Sequence, residues 1–504
     1  MNSHPNHYDI VIAGAGFSGT ITALALQRSG FTVCVIEKGM HPRFAIGESS
    51  TPIADMILRS LSAQYDLPWL YDFSRYGSWQ QSHPEIVCGI KRGFSYFKHH
   101  PGKTFYTDAD HSNELLVAAS VSDSMSDTNW LRANFDGFLV NKIQQYGIDY
   151  FDNTGIISAT RTNNQWLFKM SRQGTVSSAQ ASFFIDATGS GILADQLFGV
   201  QSSAAGFLTN SFAVFSHFDQ LPRWSSLLEQ KNISSNDYPY DPDNSALHHI
   251  LDEGWAWALR FNNNRTSWGF ALNGENPSFQ KMTTAEIWNT IRNRYPDIDQ
   301  ILSCGSLAQQ PGRIIQSGRL QRKLDHGYGE GWLAMPHSIG FVDPLFSSGI
   351  AWSLAGIERI VKALSENKGF GEPLYDQLQQ YEYRCFEELK LIDKLVAGCY
   401  KTMQNFPLFN AWSMMYFTCT ILYEQRRLNH QPVGYFLDAD NLDVQQIVHA
   451  TYNDLLKLTE QDTISSKHIA QFTNTVRQRI APFNTAGLLN PNSKNMYRHT
   501  VAVM

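Results

Sequence analysis

The chain has 504 residues, of which 43% are hydrophobic and 17% charged, with a formal net charge of −6 and a pI of about 6.2. This length is enough for two or three domains, or for one large core with insertions. The mildly acidic charge excludes the strongly basic surfaces that bind nucleic acids or anionic membranes. The six cysteines have no metal-ligand spacing, so we expect reduced thiols and no metal site.

The chain has neither a signal-peptide pattern nor a long apolar segment. Its longest apolar tract, residues 411–423, is shorter than the ~20 residues that a helix needs to cross a bilayer. We therefore expect a soluble, cytoplasmic protein with no membrane partner and no nucleic-acid partner.

A glycine-rich turn near the N-terminus lies between two predicted strands. The apolar run of residues 8–13 predicts a buried parallel strand, and Gly14, Gly16 and Gly19 open the helix that follows. These glycines permit a tight turn, a close approach to a pyrophosphate and close packing of helix on strand. The second strand ends at Glu37, about 20 residues further on, where a carboxylate binds a ribose hydroxyl. The pattern predicts a dinucleotide site but does not distinguish FAD from NAD.

Two later segments favour FAD. Residues 183–189 predict a strand that runs into a turn of small residues, and residues 331–336 lead into the loop 341–349. In this order, and together with the N-terminal βαβ unit, these segments resemble the large superfamily of FAD-dependent monooxygenases and halogenases. The resemblance implies FAD as the cofactor.

The loop 341–349 is predicted to open a helix that runs from residue 350 to about residue 364. Asp343 and the proline after it end the preceding strand. The helix N-terminus would then leave backbone N–H groups free to attract an anion, such as reduced flavin or a halide, at Ser347, Ser348 and Gly349.

A lysine in the segment 88–97 is the main candidate for catalysis. The segment reads Cys-Gly-Ile-Lys-Arg-Gly-Phe-Ser-Tyr-Phe and predicts one strand, with Lys91 on a face of small and apolar groups and Phe94 on the other face. Burial there would lower the pKa of Lys91. The residues alone leave an exposed strand lysine as the alternative. The segment closely resembles the catalytic-lysine strand of the phenolic flavin-dependent halogenases, the group to which the phloroglucinol halogenase belongs, which implies that Lys91 is catalytic.

Two further segments resemble this family. Residues 41–52, which include Arg43, are similar to the strap that links the flavin and substrate sites, although a surface arginine in a turn is the alternative. The pair Trp255 and Trp257 is similar to the family motif Trp-x-Trp-x-Ile-Pro, with Leu-Arg in place of Ile-Pro. Two core tryptophans are the alternative here. Arg260, in the place of the proline, either recognises an acidic substrate group or is a charge at the strand end.

The resemblance implies a set of site residues. The expected FAD contacts are Gly14, Gly16, Gly19, Glu37, Lys38, Arg43, Ile46, Gly47, Asp186, Gly189, Asp343 and Ile350. The expected halide site is formed by Ser347, Ser348 and Gly349, and the expected substrate pocket includes Trp255, Trp257 and Phe346. Tryptophan-type halogenases carry a glutamate at the position of Phe346, so its absence favours a phenolic or similarly electron-rich substrate; a pyrrole or a carrier-bound substrate stays open.

The resemblance also implies the reaction and its partners. A separate NAD(P)H-dependent flavin reductase supplies FADH2, and O2 and chloride or bromide yield hypohalous acid. Lys91 then hydrogen-bonds this acid or forms a haloamine, and a small aromatic substrate is halogenated by electrophilic substitution. Such enzymes act in secondary metabolism, including antibiotic biosynthesis. The alternatives are an aromatic hydroxylase of the same fold and a flavoprotein that binds FAD without turnover.

The expected architecture is an α/β fold of the two-dinucleotide-fold type. Residues 1–374 would form an FAD-binding and substrate-sheet core, with FAD-binding segments at about 8–60, 130–200 and 310–365. The substrate sheet would come from about 85–110 and 205–300. Residues 375–504 would form a helical region that covers the substrate site, ending in a tail on the surface after residue 482.

Overall fold

Two large β-sheets and a C-terminal group of helices organise the protein. The computed structural model describes residues 6–499. Residues 1–5 and 500–504, which belong to the predicted core and helical regions, lie outside the described residues.

The strands alternate with helices in the first 200 residues and dominate the middle of the chain. In chain order they are β1 (Asn6–Ala13), β2 (Val33–Ile36), β3 (Cys88–Lys91), β4 (Gly93–Lys98), β5 (Glu114–Ala118), β6 (Asp127–Trp130), β7 (Asp149–Phe151), β8 (Thr154–Thr162), β9 (Gln165–Arg172), β10 (Thr175–Asp186), β11 (Ser202–Ser203), β12 (Ser211–Asp219), β13 (Ala246–Ile250), β14 (Gly254–Arg260), β15 (Arg265–Asn273), β16 (Ser306–Leu307), β17 (Ile315–Arg319), β18 (Arg322–Leu324), β19 (Tyr328–Gly329), β20 (Trp332–Ala334), β21 (Gly340–Phe341) and β22 (Met496–Tyr497).

The longest helices lie near the C-terminus. In chain order the helices are α1 (Phe17–Arg28), α2 (Pro52–Gln64), α3 (Pro68–Tyr71), α4 (Tyr76–Ser82), α5 (Arg132–Gln145), α6 (Ile192–Phe198), α7 (Trp224–Gln230), α8 (Thr284–Arg294), α9 (Pro296–Cys304), α10 (Pro336–Ile339), α11 (Ser348–Glu366), α12 (Glu372–Thr402), α13 (Phe406–Leu428), α14 (Leu442–Thr459) and α15 (Ser466–Ile480).

The first sheet is built on parallel strands, in the order β19-β20-β10-β1-β2-β7, with β9 and β8 added beside β10. Its central strand β1 is buried on both faces, as its continuous apolar run predicts. Ala13, the last residue of β1, is in register with Ile36 of β2 and Asp186 of β10. The carboxyl ends of three strands therefore meet at one edge, where the glycine-rich turn, Glu37 and the turn after Asp186 follow.

The second sheet is mainly antiparallel, in the order β16-β12-β15-β14-β13-β4-β5-β22, with β17 paired to β12. One face packs on the main core, and the other covers a second hydrophobic core with α7, α8 and α9. Strands β4 and β12 to β15 lie within the segments predicted as the substrate sheet, whereas β5, β16, β17 and β22 lie outside them. Strand β4 carries Phe94, whose ring lies next to the Lys91 ammonium.

The segment 88–97 is not one strand, contrary to the sequence prediction. It breaks at Arg92, whose N–H donates to the carbonyl of Asn244 at 2.7 Å. Before the break β3 pairs with β6, and after it β4 joins the second sheet. A Cβ on Gly93 would lie 2.0 Å from the carbonyl oxygen of Val117, so only glycine permits this close crossing. The break turns the Lys91 side chain over Phe94, which the single-strand prediction placed on the opposite face.

The C-terminal region is helical, as the apolar periodicity predicts, and α11 begins at Ser348, two residues before the predicted start. The last segment differs from the predicted surface tail. Met496 and Tyr497 form β22, which is buried and pairs in parallel with β5. The chain therefore returns from the helical region to the edge of the second sheet.

Candidate active site

Glu37 lies at the carboxyl end of β2, beside the glycine-rich turn. Its carboxylate accepts hydrogen bonds from the N–H groups of Ala15 at 2.9 Å and Gly39 at 2.8 Å, and Arg43 lies 3.3 Å away. Burial alone would raise the pKa of Glu37, but Arg43 and the two N–H groups outweigh it and hold the pKa below its usual value. The residue is thus an ionised acceptor at the position expected for a ribose contact.

Two guanidinium groups face the glycine-rich turn. A Cβ on Gly16 would lie 3.2 Å from Nη2 of Arg132 and 3.8 Å from Nη2 of Arg43. Arg132, at the start of α5, is held by a bidentate ion pair with Asp136 (2.9 and 2.8 Å). Its Nη1 also donates to the carbonyls of Ile46 and Gly47, at 3.1 Å each.

This turn fits the pyrophosphate of FAD. A Cβ on Gly14 would lie 2.5 Å from the carbonyl oxygen of Ala187, and a Cβ on Gly19 would lie 2.0 Å from the carbonyl oxygen of Gly14, so both positions require glycine. The turn opens the N-terminus of α1 towards two arginines, which is the combination that binds a diphosphate. Lys38 and Ile46 are exposed beside it.

The turn after β10 brings the second predicted contact segment to the same edge. Asp186 is fully buried, and its Oδ1 accepts from the backbone N–H and the hydroxyl of Thr188, whereas its Oδ2 has no hydrogen-bond partner among the described residues. Burial raises the pKa of Asp186. The N–H of Gly189 donates to Oγ of Ser338 at 3.0 Å, which ties this turn to α10.

Asp343 holds the loop 341–349 in place through hydrogen bonds of its buried carboxylate. Its Oδ2 accepts from the hydroxyls of Ser211 at 2.6 Å and Tyr400 at 2.9 Å, and its Oδ1 accepts from the N–H of Leu345 at 3.1 Å. Burial raises the pKa of Asp343 to about 6, against the lowering effect of these hydrogen bonds. The loop is thereby connected to the second sheet and to α12.

The N-terminus of α11 lies at the end of this loop. Ser347 has φ 51°, in the left-handed region, and its N–H donates to the carbonyl of Pro344 at 2.9 Å, so it is not free as the sequence suggested. Ser348 and Gly349 occupy the first turn, where N–H groups have no partner within the helix. A Cβ on Gly349 would lie 2.7 Å from Cε1 of His337, whose ring is partly buried and neutral because desolvation lowers its pKa to about 3. Ile350 packs in the core below.

Lys91 is fully buried at the end of β3. Its Nζ donates to the carbonyl of Ser50 at 2.6 Å, lies 3.8 Å from Oδ2 of Asp127, and lies 4.1 Å from the ring centroid of Phe94. Burial lowers the pKa of Lys91 to about 8, although Asp127, Asp55 and Glu424 oppose the shift.

Three buried carboxyl groups surround the ammonium, each from a different element. Burial raises the pKa of Asp127, on β6, to about 6, although Lys91 opposes the shift. Burial raises the pKa of Asp55, on α2, and of Glu424, on α13, well above the usual values, and Asp127 adds to both shifts. The site therefore combines one ammonium, one ionised carboxylate and two carboxyls that are held towards the neutral form.

A mostly apolar pocket adjoins Lys91. Its apolar lining includes Pro52, Phe94, Val117, Phe417 and Ile421, and its polar lining includes Thr51, Tyr416, Thr420 and Glu424. Residues from the strap, the second sheet and α13 thus enclose one space beside the lysine. This composition suits a small aromatic molecule with one or two polar groups.

The predicted pocket residues Phe346, Trp255 and Trp257 lie behind this lining. The ring of Phe346 stacks on that of Tyr416, with centroids 4.0 Å apart. The ring of Trp255 lies 5.7 Å from that of Trp257 and 5.1 Å from that of His248, which in turn lies 6.0 Å from the ring of Phe94. The paired tryptophans are therefore buried core residues one layer away from the lysine.

The segment 41–52, which resembles the strap of the family, connects the dinucleotide edge with the lysine pocket. At one end Ile46 and Gly47 accept from Arg132, and at the other Ser50 accepts from Lys91. Backbone contacts to β6 hold the segment between them, including the bond from the Ser50 N–H to the carbonyl of Thr128 at 3.0 Å. The segment 41–52 therefore runs from the dinucleotide edge to the lysine.

Arg260 points away from the lysine pocket. It forms an ion pair with Asp243 and donates to the carbonyl of Leu221 at 2.9 Å. The backbone of Arg260 also lies close to Gly89. A Cβ on Gly89 would lie 1.8 Å from the carbonyl oxygen of Arg260, so this position requires glycine. Of the two alternatives left by the sequence, the structural charge is the one observed.

Four residues near these sites were not predicted from the sequence: Arg132, Asp127, Tyr416 and Glu424. The arginine carried a weak signal, since an arginine and an aspartate four residues apart begin a helix of the flavin region. The glutamate carried a stronger signal, because it is the first charged residue after a long apolar run in α13. Asp127 has no spacing pattern that relates it to Lys91.

The family comparison agrees with this geometry. The family model described as tryptophan halogenase matches residues 9–66 and 131–413. Among curated proteins, the chain is 24% identical over 437 residues to monodechloroaminopyrrolnitrin halogenase PrnC of Pseudomonas fluorescens, covering 84% of this chain and 73% of the relative. It is also 24% identical over 447 residues to tetracycline 7-halogenase of Kitasatospora aureofaciens, covering 84% of this chain and 75% of the relative.

Solved structures show the same fold. The crystal structure of halogenase PltM superposes with a TM-score of 0.86 at 22% identity, covering 97% of this chain and 99% of that chain. A structure of PltM in complex with phloroglucinol and FAD gives a TM-score of 0.85, with 98% and 100% covered. The predicted α/β fold with a Rossmann-like FAD-binding core and a helical C-terminal region is confirmed.

The fold and the dinucleotide edge define a dinucleotide-binding protein, and the family match identifies the dinucleotide as FAD. The chain belongs to the tryptophan halogenase family, and it is a flavin-dependent halogenase that acts on aromatic compounds. Family membership favours this function over the aromatic hydroxylase and over a flavoprotein without turnover. Within residues 6–499, every helix is too short or too polar to span a membrane.

Proposed function

We propose that the protein halogenates a small phenolic or similarly electron-rich arene that is held beside Lys91. A separate NAD(P)H-dependent flavin reductase would supply reduced FAD. Reduced FAD and O2 would then oxidise chloride or bromide to hypohalous acid. The observation that carries the proposal is the complete burial of Lys91 next to an aromatic-lined pocket. A buried lysine costs folding free energy, so its place beside a pocket argues for a functional role.

The chain's own residues would hold the cofactor at the edge of the first sheet. Arg132, Arg43 and the glycine-rich turn bind the pyrophosphate, and Glu37 binds a ribose hydroxyl. The loop 341–349 borders the flavin ring. The remaining cofactor contacts are those implied by the family resemblance, at Lys38, Ile46, Gly47, Asp186, Gly189, Asp343 and Ile350.

The halide would lie at the N-terminus of α11, beside Ser347, Ser348 and Gly349. The N–H groups of Ser348 and Gly349 in the first helical turn are the donors that favour an anion there. The ring of His337 against Gly349 is neutral, so it adds bulk to the site without adding charge.

Lys91 would act as an ammonium that hydrogen-bonds the oxygen of hypohalous acid and makes its halogen more electrophilic. Three features support this role: the 2.6 Å bond to Ser50, the nearby carboxylate of Asp127, and a pKa of about 8, which leaves the ammonium dominant at neutral pH. Enclosure by Phe94 and the other pocket residues keeps the oxidant away from the rest of the protein.

A product assay by mass spectrometry tests the proposal. Purified protein receives FAD, NADH, a flavin reductase and bromide or chloride, with a panel of resorcinols, other phenols, pyrroles and indoles. Wild type runs beside Lys91→Ala and beside Lys103→Ala, an exposed lysine nearby in the chain. We expect halogenated phenols from wild type and Lys103→Ala, and a loss of at least about 100-fold in Lys91→Ala. Full activity of Lys91→Ala contradicts the role of the lysine, and products only from pyrroles or indoles contradict the phenolic assignment.

A further inference from the structure

A buried carboxyl group faces the pocket and has no hydrogen-bond or ion-pair partner within residues 6–499. Glu424 lies near the end of α13, its side chain is 2% exposed, and its Oε2 has no hydrogen-bond partner among the described residues. It lines the same pocket as Phe94 and Thr420. A buried carboxyl oxygen without a hydrogen-bond donor destabilises the folded protein, so its presence here calls for a functional reason.

Other buried acidic residues form ion pairs or hydrogen bonds that stabilise the fold, and Glu424 differs from them. Glu388, also fully buried on a C-terminal helix, pairs with Arg359 and accepts from the indole of Trp352 at 2.7 Å. Glu48 pairs with His217 at 2.8 Å. Among the described residues, Glu424 has neither kind of contact, and it lines the space next to Lys91.

The charges around Glu424 come from three other elements. Lys91 on β3 favours its ionised form, whereas Asp127 on β6 and burial disfavour it; Asp55 on α2 belongs to the same group of acids around the lysine. The pKa of Glu424 therefore lies well above its usual value. Once the nearby Lys91 ammonium favours its ionised form, such a carboxylate is a stronger base than an ordinary one, so it can accept the proton of a phenolic hydroxyl.

We propose that Glu424 is a second catalytic residue, which accepts a hydrogen bond from a ring hydroxyl of the substrate and takes its proton as the ring is halogenated. The inference rests on the proposed function, because it assigns to the pocket a neutral arene that carries a hydroxyl. Lys91 and Glu424 then act on the two reactants, the oxidant and the arene.

The bond changes balance without a further reagent. The ring carbon takes the halogen from hypohalous acid as the oxygen–halogen bond breaks, and the leaving hydroxide takes a proton from Lys91 to become water. The ionised carboxylate of Glu424 takes the hydroxyl proton, which leaves a halogenated ring ketone. The neutral amine of Lys91 then removes the proton from the halogenated carbon, and Glu424 returns its proton to the oxygen. The net reaction converts the arene and hypohalous acid into the halogenated arene and water.

Paired substrates and variants test this role. Wild type, Glu424→Gln and Glu424→Asp are assayed with resorcinol and with 1,3-dimethoxybenzene, whose oxygens have no proton to give. We expect Glu424→Gln to lower kcat/KM for resorcinol by about 100-fold while changing that for dimethoxybenzene by less than about threefold. Glu424→Asp, which keeps the carboxylate, should recover part of the loss. Glu460→Gln, the same substitution at an exposed position, is the control.

The controls separate this inference from the proposed function. FAD binding and the yield of hypohalous acid, captured by an added amine, should equal wild type in Glu424→Gln, which shows that the variant is folded and makes oxidant. Equal loss with both substrates, or no loss with resorcinol, overturns the role of Glu424. If wild type halogenates nothing, calorimetric binding of resorcinol decides: unchanged affinity in Glu424→Gln overturns the inference, and lost affinity supports it while the proposed function fails.

Discussion

The ring of Phe346 stacks on the ring of Tyr416, with centroids 4.0 Å apart and planes within 9° of parallel, and the carbonyl of Phe346 accepts the Tyr416 hydroxyl at 2.9 Å. The first residue belongs to the loop 341–349 and the second to α13. One stacked pair thus joins the loop that we propose as the border of the flavin site to the helix that lines the lysine pocket. Side-chain packing therefore connects the proposed halide-oxidation site with the proposed substrate pocket.

We predict that Tyr416→Ala lowers the fraction of oxidant that reaches the substrate. Loss of the ring removes the wall between the loop and the pocket, and such a truncation also costs about 3–5 kcal/mol of stability. The measurement is the ratio of halogenated product to captured hypohalous acid, at a temperature where the variant is folded by circular dichroism. Tyr416→Phe keeps the stack and loses one hydrogen bond worth about 1 kcal/mol, so its ratio should stay near wild type. An unchanged ratio in Tyr416→Ala contradicts the prediction.

The pH dependence of halogenation should report the ionisation of Lys91. Burial lowers its pKa to about 8, so the ammonium dominates below this value and the neutral amine above it. Because the proposed role needs the ammonium, the rate of product formation should fall as the pH rises through about 8. The measurement is single-turnover product formation across this range with added hypohalous acid.

An arginine variant distinguishes the lysine from the oxidant, which also loses a proton in alkaline solution. Arginine stays protonated throughout this range, so any residual activity of Lys91→Arg should show no fall near pH 8. If the rate of Lys91→Arg also falls near pH 8, the fall is caused by the ionisation of a group other than Lys91. A rate that rises through pH 8 in wild type would make the neutral amine, and hence a haloamine, the active form.

The dinucleotide edge and the burial of Lys91 were predictable because their signals are local. The run of residues 8–13, the glycines after it and Glu37 lie within one βαβ unit, and the register of β1 with its neighbours brings their ends together as expected. Lys91 was found from a continuous motif. Each of these features depends on residues that are close in the sequence.

The surroundings of Lys91 were not predictable, because they depend on pairing between distant segments. The break at Arg92 follows from the choice of β3 to pair with β6 and of β4 to pair with β5, which no spacing within the segment encodes. Asp55, Asp127 and Glu424 reach the lysine from three elements that are far apart in the chain. Their common position is a result of the tertiary fold.

Arg132 should contribute directly to FAD affinity. Its Nη2 faces Gly16, so Arg132→Gln removes a charge-assisted contact to the pyrophosphate worth about 1.5–3 kcal/mol and should weaken FAD binding by about 10- to 100-fold. Asp136→Asn removes the opposing carboxylate and should not weaken binding. The measurement is quenching of flavin fluorescence, with Arg172→Gln, an exposed arginine, as the control. Equal weakening by Arg132→Gln and Asp136→Asn would indicate loss of local structure in place of a lost contact.

Two glycine substitutions should have opposite effects. A Cβ on Gly19 would lie 2.0 Å from the backbone oxygen of Gly14, which cannot move without opening the turn, so Gly19→Ala should weaken FAD binding at least tenfold, about 1.4 kcal/mol. A Cβ on Gly137, within α5, meets none of the described residues within 4 Å. Gly137→Ala should therefore leave FAD binding unchanged and raise stability by about 0.5–1 kcal/mol, since alanine favours the helix.

Flavin titration and thermal unfolding of both apoproteins separate these effects. The strain at Gly19 should lower the unfolding temperature of Gly19→Ala even without flavin, because the clash is between the turn and its own helix. Gly137→Ala should unfold at a higher temperature than wild type. Tight FAD binding by Gly19→Ala would mean that the turn relaxes without losing its shape, and the close packing of α1 against Gly14 would then not be what forms the pyrophosphate site.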